Sequence, residues 1–218
     1  MCIKSKYNKK VEYLSKTDII VLVKGDFMSE KDKMLNEQLY DANDELLIKE
    51  RHKCKTLCFA YNNLPPNETN KKNELIKELF GKTGKNFCIE PNFYCDYGYN
   101  IEIGENFYSN HNLVILDPAK VIFGNNVFIG PNCGFYTPEH PIDSNERNTY
   151  KEFAKSITIG NNVWFGGNVT VLSGVKIGSN VVIGAGSVVT KDIPDNVVAV
   201  GNPCKVMRAI TENDKIFK

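Results

Sequence analysis

Histidine is scarce in this 218-residue chain, which has three, and tryptophan occurs once. No C-x-x-C occurs, although cysteines stand at Cys2, Cys54, Cys58, Cys88, Cys95, Cys133 and Cys204. Their odd number argues against a disulfide framework and for reduced, mostly buried thiols. Neither sign of charge dominates: 27 Lys and Arg against 26 Asp and Glu leave a net +1. That excludes the electrostatic footprint of a nucleic-acid partner or an anionic membrane surface. Long hydrophobic runs are missing as well. The longest strongly apolar stretch, Ile19 to Val23, is far too short for a membrane span. It also lacks the flanks of a secretory signal, so a cytoplasmic protein is expected. In that compartment the glycosylation patterns Asn67-Glu-Thr69 and Asn168-Val-Thr170 carry no meaning.

The second half of the chain lacks helical periodicity and counts in sixes instead. From Ile159 it reads IGNNVW, FGGNVT, VLSGVK, IGSNVV, IGAGSV, VTKDIP. The first positions, Ile159, Phe165, Val171, Ile177, Ile183 and Val189, are all apolar. At the fifth positions stand Val163, Val169, Val175, Val181, Ser187 and Ile193. Gly, Asn and other turn residues fill most places between, a pattern of very short strands joined by regular turns. The same phase links Ile103, Ser109 and Ile115. After a two-residue slip at Lys120-Val121-Ile122 it continues through Phe123, Ile129 and Phe135. Three hexapeptides make one coil of a triangular prism, giving roughly four complete coils and a ragged start near Ile89. Stacked coils bury the first positions in a continuous column, so the fold expected is mainly β, a parallel β-helix.

The count breaks once. After Phe135 the next clear first position is Ile159, so six residues become twenty-four. The extra segment holds His140, Asp143, Glu146, Arg147 and Lys151 and is too polar for the prism. It must leave as a protruding loop, about residues 136–156, and long loops in compact folds are commonly functional.

The front of the chain reads as a helical cap over residues 28–84. Ser29-x-x-Asp32 resembles a capping box. Leu46, Leu47, Cys54, Leu57, Cys58 and Tyr61 have helical spacing across 44–62, and Leu64-Pro-Pro66 stops that helix. Leu75, Ile76, Leu79 and Phe80 mark another, closed by Gly81. Such a cap covers the otherwise open end of a prism spanning 85–200, with 201–218 as a tail. Residues 1–27, rich in lysine and without a partner pattern, are expected to be a weakly ordered extension or a product of start-codon choice, Met28 resembling a natural start.

Several motifs in order then carry a resemblance. They are MSEKDKMLNEQLYDANDEL (28–46), DYGYNIEIGENFYSNHN (96–112), YTPEHPID (136–143), ITIGNNVWFGG (157–167) and IGAGSVVTKDIPDNVVAVGNPCKV (183–206). Over about residues 28–210 the chain resembles the maltose/galactoside O-acetyltransferases of the hexapeptide-repeat superfamily. The resemblance implies a left-handed prism, a homotrimer with active sites between neighbouring prisms, and acetyl transfer from acetyl-CoA to a sugar hydroxyl without a metal. His140 matches the family's catalytic histidine, the residue type that can take a hydroxyl proton near neutral pH. Asn110 matches an asparagine of the oxyanion neighbourhood, and Gly167 a position whose backbone N–H meets the thioester; some relatives carry serine there. The resemblance also implies cofactor contacts at Ala185, Thr190, Lys191, Lys205 and Arg208; Trp164 reads either as a wall of the pantetheine channel or as an ordinary outward aromatic of a strand. Lys205 keeps the charge of an arginine found in some relatives but not its bidentate fork. For the acceptor it implies Asp96, Tyr108, Asn110 and Asp117, although Asp117 also reads as a turn residue before Pro118. An acid of some relatives is Ala42 here.

Three rival readings stay open on the residues alone. A metal-dependent carbonic anhydrase on the same prism needs three histidine ligands; with His52 in the cap, only His111 and His140 remain. A non-enzymatic solenoid explains the repeats but not the loop histidine. An acetyltransferase of the same fold could take an antibiotic or another non-sugar acceptor.

Overall fold

The computed structural model describes residues 28–217, so the reading of residues 1–27 lies outside the described residues. The described part opens with helices: α1 (Glu30–Leu35), a short strand β1 (Tyr40–Asp41), α2 (Glu45–Asn62) and α3 (Thr69–Leu79). Ser29 and Asp32 close a reciprocal capping box on α1, and Asp44 caps α2 by accepting from the Leu46 and Leu47 N–H groups. Both caps satisfy amides that have no partner inside their helices.

The chain then winds. The first coil holds β2 (Phe87–Ile89) and β3 (Tyr94–Cys95). The second holds β4 (Ile101–Ile103), β5 (Phe107–Ser109) and β6 (Val114–Leu116). The third holds β7 (Val121–Phe123), β8 (Val127–Ile129) and β9 (Gly134–Tyr136). The interrupting segment follows as β10 (Pro138–Glu139), α4 (Ser144–Arg147) and β11 (Lys151–Ala154). Winding resumes with β12 (Ile157–Ile159), β13 (Val163–Phe165) and β14 (Thr170–Val171). The next coil has β15 (Lys176–Ile177), β16 (Val181–Ile183) and β17 (Val188–Val189); β18 (Val197–Val200), β19 (Lys205–Ala209) and a short 3-10 helix (Glu212–Asp214) follow.

These strands stack into three faces of a parallel β-helix. The orders are β15-β12-β7-β4, then β19-β18-β16-β13-β8-β5-β2, then β17-β14-β9-β6-β3. Only β19 runs antiparallel, with a register shift between Val198 and Ala199. First and fifth positions both point inward and are buried. The axis carries a stack of phenyl rings, with edge-to-face centroid spacings of 5.1 Å (Phe107–Phe123), 5.0 Å (Phe123–Phe135) and 5.3 Å (Phe135–Phe165). At the N-terminal end Phe93 receives Tyr61 and Phe80 edge-on, and the Asn62 side chain bonds both the N–H and C=O of Phe93. The helices therefore seat on the first coil.

The turn asparagines have a specific task. Asn106, Asn126, Asn162, Asn180 and Asn196 all have positive φ, between 55° and 61°, in the left-handed region that asparagine tolerates. Their amides form a ladder up one edge, Asn106 to Asn126 and Asn126 to Asn162 each at 2.9 Å. We expect Asn126→Ala to lose about 1–2 kcal/mol from the backbone alone. Asn126→Gly, which keeps the conformation and loses only the ladder, should cost less. Thermal denaturation of both variants checks the order, and an equal cost would refute the backbone share.

All deviations from a strict count fall at one corner, between the third face and the first. Paired residues are 20 apart from Ile103 to Phe123, 36 from Phe123 to Ile159, 18 from Ile159 to Ile177 and 16 from Ile177 to Ile193. The slip read at 120–122 runs from this corner into the start of β7, and the coil before it is equally long, with Ile89 paired to Ser109. The excursion of 138–154 leaves from the same corner and is a hairpin rather than a shapeless loop. It joins β1 of the cap in a three-stranded antiparallel sheet ordered β1-β11-β10.

Candidate active site

The hairpin fixes His140 directly after β10. Its Nε2 lies 3.8 Å from Glu152 Oε1 on β11, and 53% of the side chain is exposed. Register Tyr40↔Glu152 brings the cap to the same point, where Tyr40 donates to Glu152 Oε2 at 2.8 Å. Burial, and then the Glu152 carboxylate, raise the Tyr40 hydroxyl far above its ordinary value, so it stays a donor. At 3.8 Å the carboxylate is too far for a hydrogen bond to the ring but close enough to stabilise a positive charge there. Glu152 was not singled out in the sequence, because its role rests on pairing with a residue 112 positions away.

Asp96 lies at the same corner, partly buried. Burial pushes its carboxyl up; Arg51 and Lys55 pull the other way, and Glu152 adds to the rise. Arg51 is itself held by the Tyr97 hydroxyl at 2.6 Å and by the Ala42 carbonyl. The reading of Asp117 as an acceptor-lining residue is corrected here. Asp117 is 0% exposed, and its carboxylate accepts from the N–H groups of Asp96 (3.0 Å), Tyr97 (2.9 Å) and Gly98 (2.7 Å). Burial outweighs these donors, and the Asp96 charge adds to it, so Asp117 is pushed up to about 7. It builds the turn that presents Asp96 and offers no surface to a sugar. Thr190 and Lys191, exposed after β17, lie at this corner two coils beyond the hairpin.

A second constellation lies on the second face and at its corner with the third. A groove of about 450 Å³ is lined by Tyr108, Asn110, Phe128, Ile129, Gly130 and Trp164. Tyr108, Phe128 and Trp164 are cross-strand neighbours on the outward side of the seven-stranded sheet, and Trp164 is 56% exposed. The row continues through Val182 and Val198 to Arg208 on β19. The Asn110 Oδ1 accepts from the His111 N–H at 2.7 Å, which leaves the amide NH₂ for a ligand. Along the adjoining corner, Gly130 and Gly166 leave no room for side chains: a Cβ on Gly166 would stand 2.6 Å from Ala185 N. Among the described residues the Gly167 and Ala185 N–H groups join no hydrogen bond of the ladder. Lys205 pairs with Val200 near this same corner. Arg208 holds Asp214 through both guanidinium nitrogens, at 2.7 and 2.9 Å, and lowers that carboxyl to about 2. A phosphate would have to share or displace that partner.

The sequence candidates thus separate into two sets. His140, Asp96, Thr190 and Lys191 stand at one corner of the prism. Tyr108, Asn110, Trp164, Gly167, Ala185, Lys205 and Arg208 belong to another corner and its face. No hairpin residue lines the Asn110 groove.

A prism of six-residue strands and turns, with one excursion carrying a histidine, defines a hexapeptide-repeat transferase. Residues 156–191 match the model of the bacterial transferase hexapeptide (six repeats), and residues 33–84 match the maltose acetyltransferase hexapeptide capping motif. The chain is 48% identical to the galactoside O-acetyltransferase of Escherichia coli over 79% of this chain and 85% of that one. A maltose O-acetyltransferase structure from Clostridium difficile 630 superposes with a TM-score of 0.83 at 52% identity, covering 85% of this chain and 99% of that one. A galactoside acetyltransferase structure in complex with coenzyme A gives 0.84 at 44% identity, covering 88% and 96%. The chain belongs to the maltose/galactoside O-acetyltransferase family. Among the described residues no helix is long and apolar enough to cross a membrane.

Proposed function

We propose that this acetyltransferase moves an acetyl group from acetyl-CoA to a sugar hydroxyl, in a cytoplasmic homotrimer whose sites lie between subunits. The observation that carries the reading is the separation of the two sets of residues. A histidine base on one corner and an amide-lined groove on another become one site when the hairpin of one prism meets the outward aromatic face of its neighbour.

In that site the acceptor hydroxyl gives its proton to His140 as its oxygen attacks the thioester carbon. Glu152, fixed by Tyr40, stabilises the imidazolium that forms. The Asn110 amide and the Gly167 N–H are preorganised donors for the oxyanion of the tetrahedral intermediate. When the intermediate collapses, the C–S bond breaks and the departing CoA thiolate takes from the imidazolium the proton that the acceptor hydroxyl gave up. Trp164 and the corner at Gly167 and Ala185 flank the pantetheine arm. Lys205 and Arg208 of this face, with Thr190 and Lys191 of the neighbouring prism's, meet the phosphate-bearing end. Asp96 and Tyr108 meet the acceptor. The match to a maltose acetyltransferase capping motif and the coenzyme A in a structural relative support both substrates.

Thiol release from acetyl-CoA with maltose, glucose, a galactoside, a chitooligomer, chloramphenicol and serine tests the substrate class. Turnover confined to the last two would overturn the sugar reading. The shared site has its own test. His140→Ala and Asn110→Ala should each be nearly inactive. Refolded together in equal amounts, they should regain about a quarter of wild-type activity, because random mixing leaves about one site in four intact. A mixture as inactive as its parents would place each site within a single chain.

A further inference from the structure

Three cysteines that the acetyl-transfer site does not use converge where the cap meets the first coil. Cys54 and Cys58 lie one turn apart on α2, so both thiols point from one face of the helix onto β3, where Cys95 faces them. The Cys54 and Cys95 sulfurs are 3.4 Å apart and the Cys58 and Cys95 sulfurs 3.9 Å apart. All three lie within 4.8 Å of one another, and all three side chains are buried and free of disulfides.

We propose that Cys54, Cys58 and Cys95 form a thiolate site for a zinc-class metal ion. A tetrahedral ion with metal–sulfur bonds of about 2.3 Å holds its sulfurs roughly 3.8 Å apart, which the present spacing brackets. A pair of thiols would suffice for a disulfide; three at these separations have the shape of a tripod. The fourth coordination position has an opening. A pocket of about 340 Å³ reaches Cys58 and Cys95 and is also lined by Lys55, Asn62 and Tyr94. Water from that pocket completes the tetrahedron. Binding exchanges three S–H protons for one divalent ion and leaves a tris-thiolate complex of charge −1, which the Lys55 ammonium at the pocket wall offsets. The ion bridges the cap and the prism. It takes no part in acetyl transfer, so the proposal is independent of the reaction.

The test uses the full chain, its thiols kept reduced and freed of metal with a chelator. Titration with Co²⁺ should develop a thiolate-to-cobalt charge-transfer band that saturates at one equivalent per chain and is displaced by Zn²⁺. Cys58→Ala and Cys95→Ser should abolish the band, and Cys88→Ser, at an exposed thiol outside the cluster, should keep it. Where a cluster variant fails to fold, wild type still decides. Zn²⁺ at about a hundredfold over its Kd should raise Tm by roughly 5–10 °C, and chelator should reverse the rise. No band and no rise in Tm would overturn the site. So would a band that survives both cluster substitutions, or recovery of a Cys54–Cys95 disulfide from protein isolated with its thiols blocked at lysis.

Discussion

His140→Ala is expected to lower kcat for acetyl transfer to a sugar by roughly 10²–10⁴, the usual contribution of a positioned general base. Acetyl-CoA affinity should stay close to wild type, because the groove around Trp164 and Asn110 is lined without the hairpin. The substitution is clean. His140 is about half exposed, and the hairpin that presents it is fixed by other contacts, the β1–β11–β10 ladder and the bonds that the Ser156 N–H and hydroxyl donate to Glu37 Oε1. Thiol release gives kcat, and equilibrium dialysis with acetyl-CoA gives affinity. Near wild-type turnover would remove His140 from the reaction. Loss of acetyl-CoA binding with kcat intact at saturation would make it a cofactor contact instead.

Phe135→Ala should be the most damaging simple truncation of the core. Phe135 is 0% exposed and holds the middle of the phenyl stack, touching Phe123 below and Phe165 above at edge-to-face distances near 5 Å. Emptying a fully buried phenylalanine costs about 3–5 kcal/mol. For a chain of this size that is a fall in Tm on the order of 10 °C. The neighbouring rings are pinned by strands hydrogen-bonded above and below, so the cavity cannot collapse. Phe59→Ala supplies the contrast. Phe59 lies on α2, away from the acetyl-transfer site, and is 70% exposed, so its loss should cost at most about 1 kcal/mol. Equal melting shifts for the two variants would mean that the axial stack does not carry the stability assigned to it.

The parts of the molecule legible in the sequence share one physical property: they repeat, or they are local. Ile159, Phe165 and Val171 declare the prism because each inward position recurs at a fixed interval, and stacking demands the same residue class every time. Asp44 and the Leu64-Pro-Pro stop bracket α2 because helix ends are decided by a few adjacent residues. What escaped was set by contacts between distant segments. The polar stretch after Phe135 read as a loop, yet β11 finds its partner in Tyr40 of the cap, and only that pairing places Glu152 beside His140. Asp117 carries the same letter as an exposed acid. Its burial under three N–H groups is made by the preceding coil, 19 to 21 positions away in the chain. The split of the candidates between two corners could have been read from the count alone. Asn110 follows a second-face strand and His140 leaves after a third-face strand, but a list of motifs gives no face to its members.

The antiparallel strand at the end of the prism has a consequence for the fate of the chain. A stack of parallel, in-register strands is a template that can recruit further strands, and an open end is the place where growth would continue. Here β19 covers the edge of β18 in the opposite direction, with slipped register and a row of exposed side chains that include Lys205 and Arg208. A parallel strand arriving at that end meets wrong polarity, wrong phase and positive charge. Removing residues 205–209 would uncover Val197–Val200, apolar and uncharged, and turn a finite column into a seed for filaments.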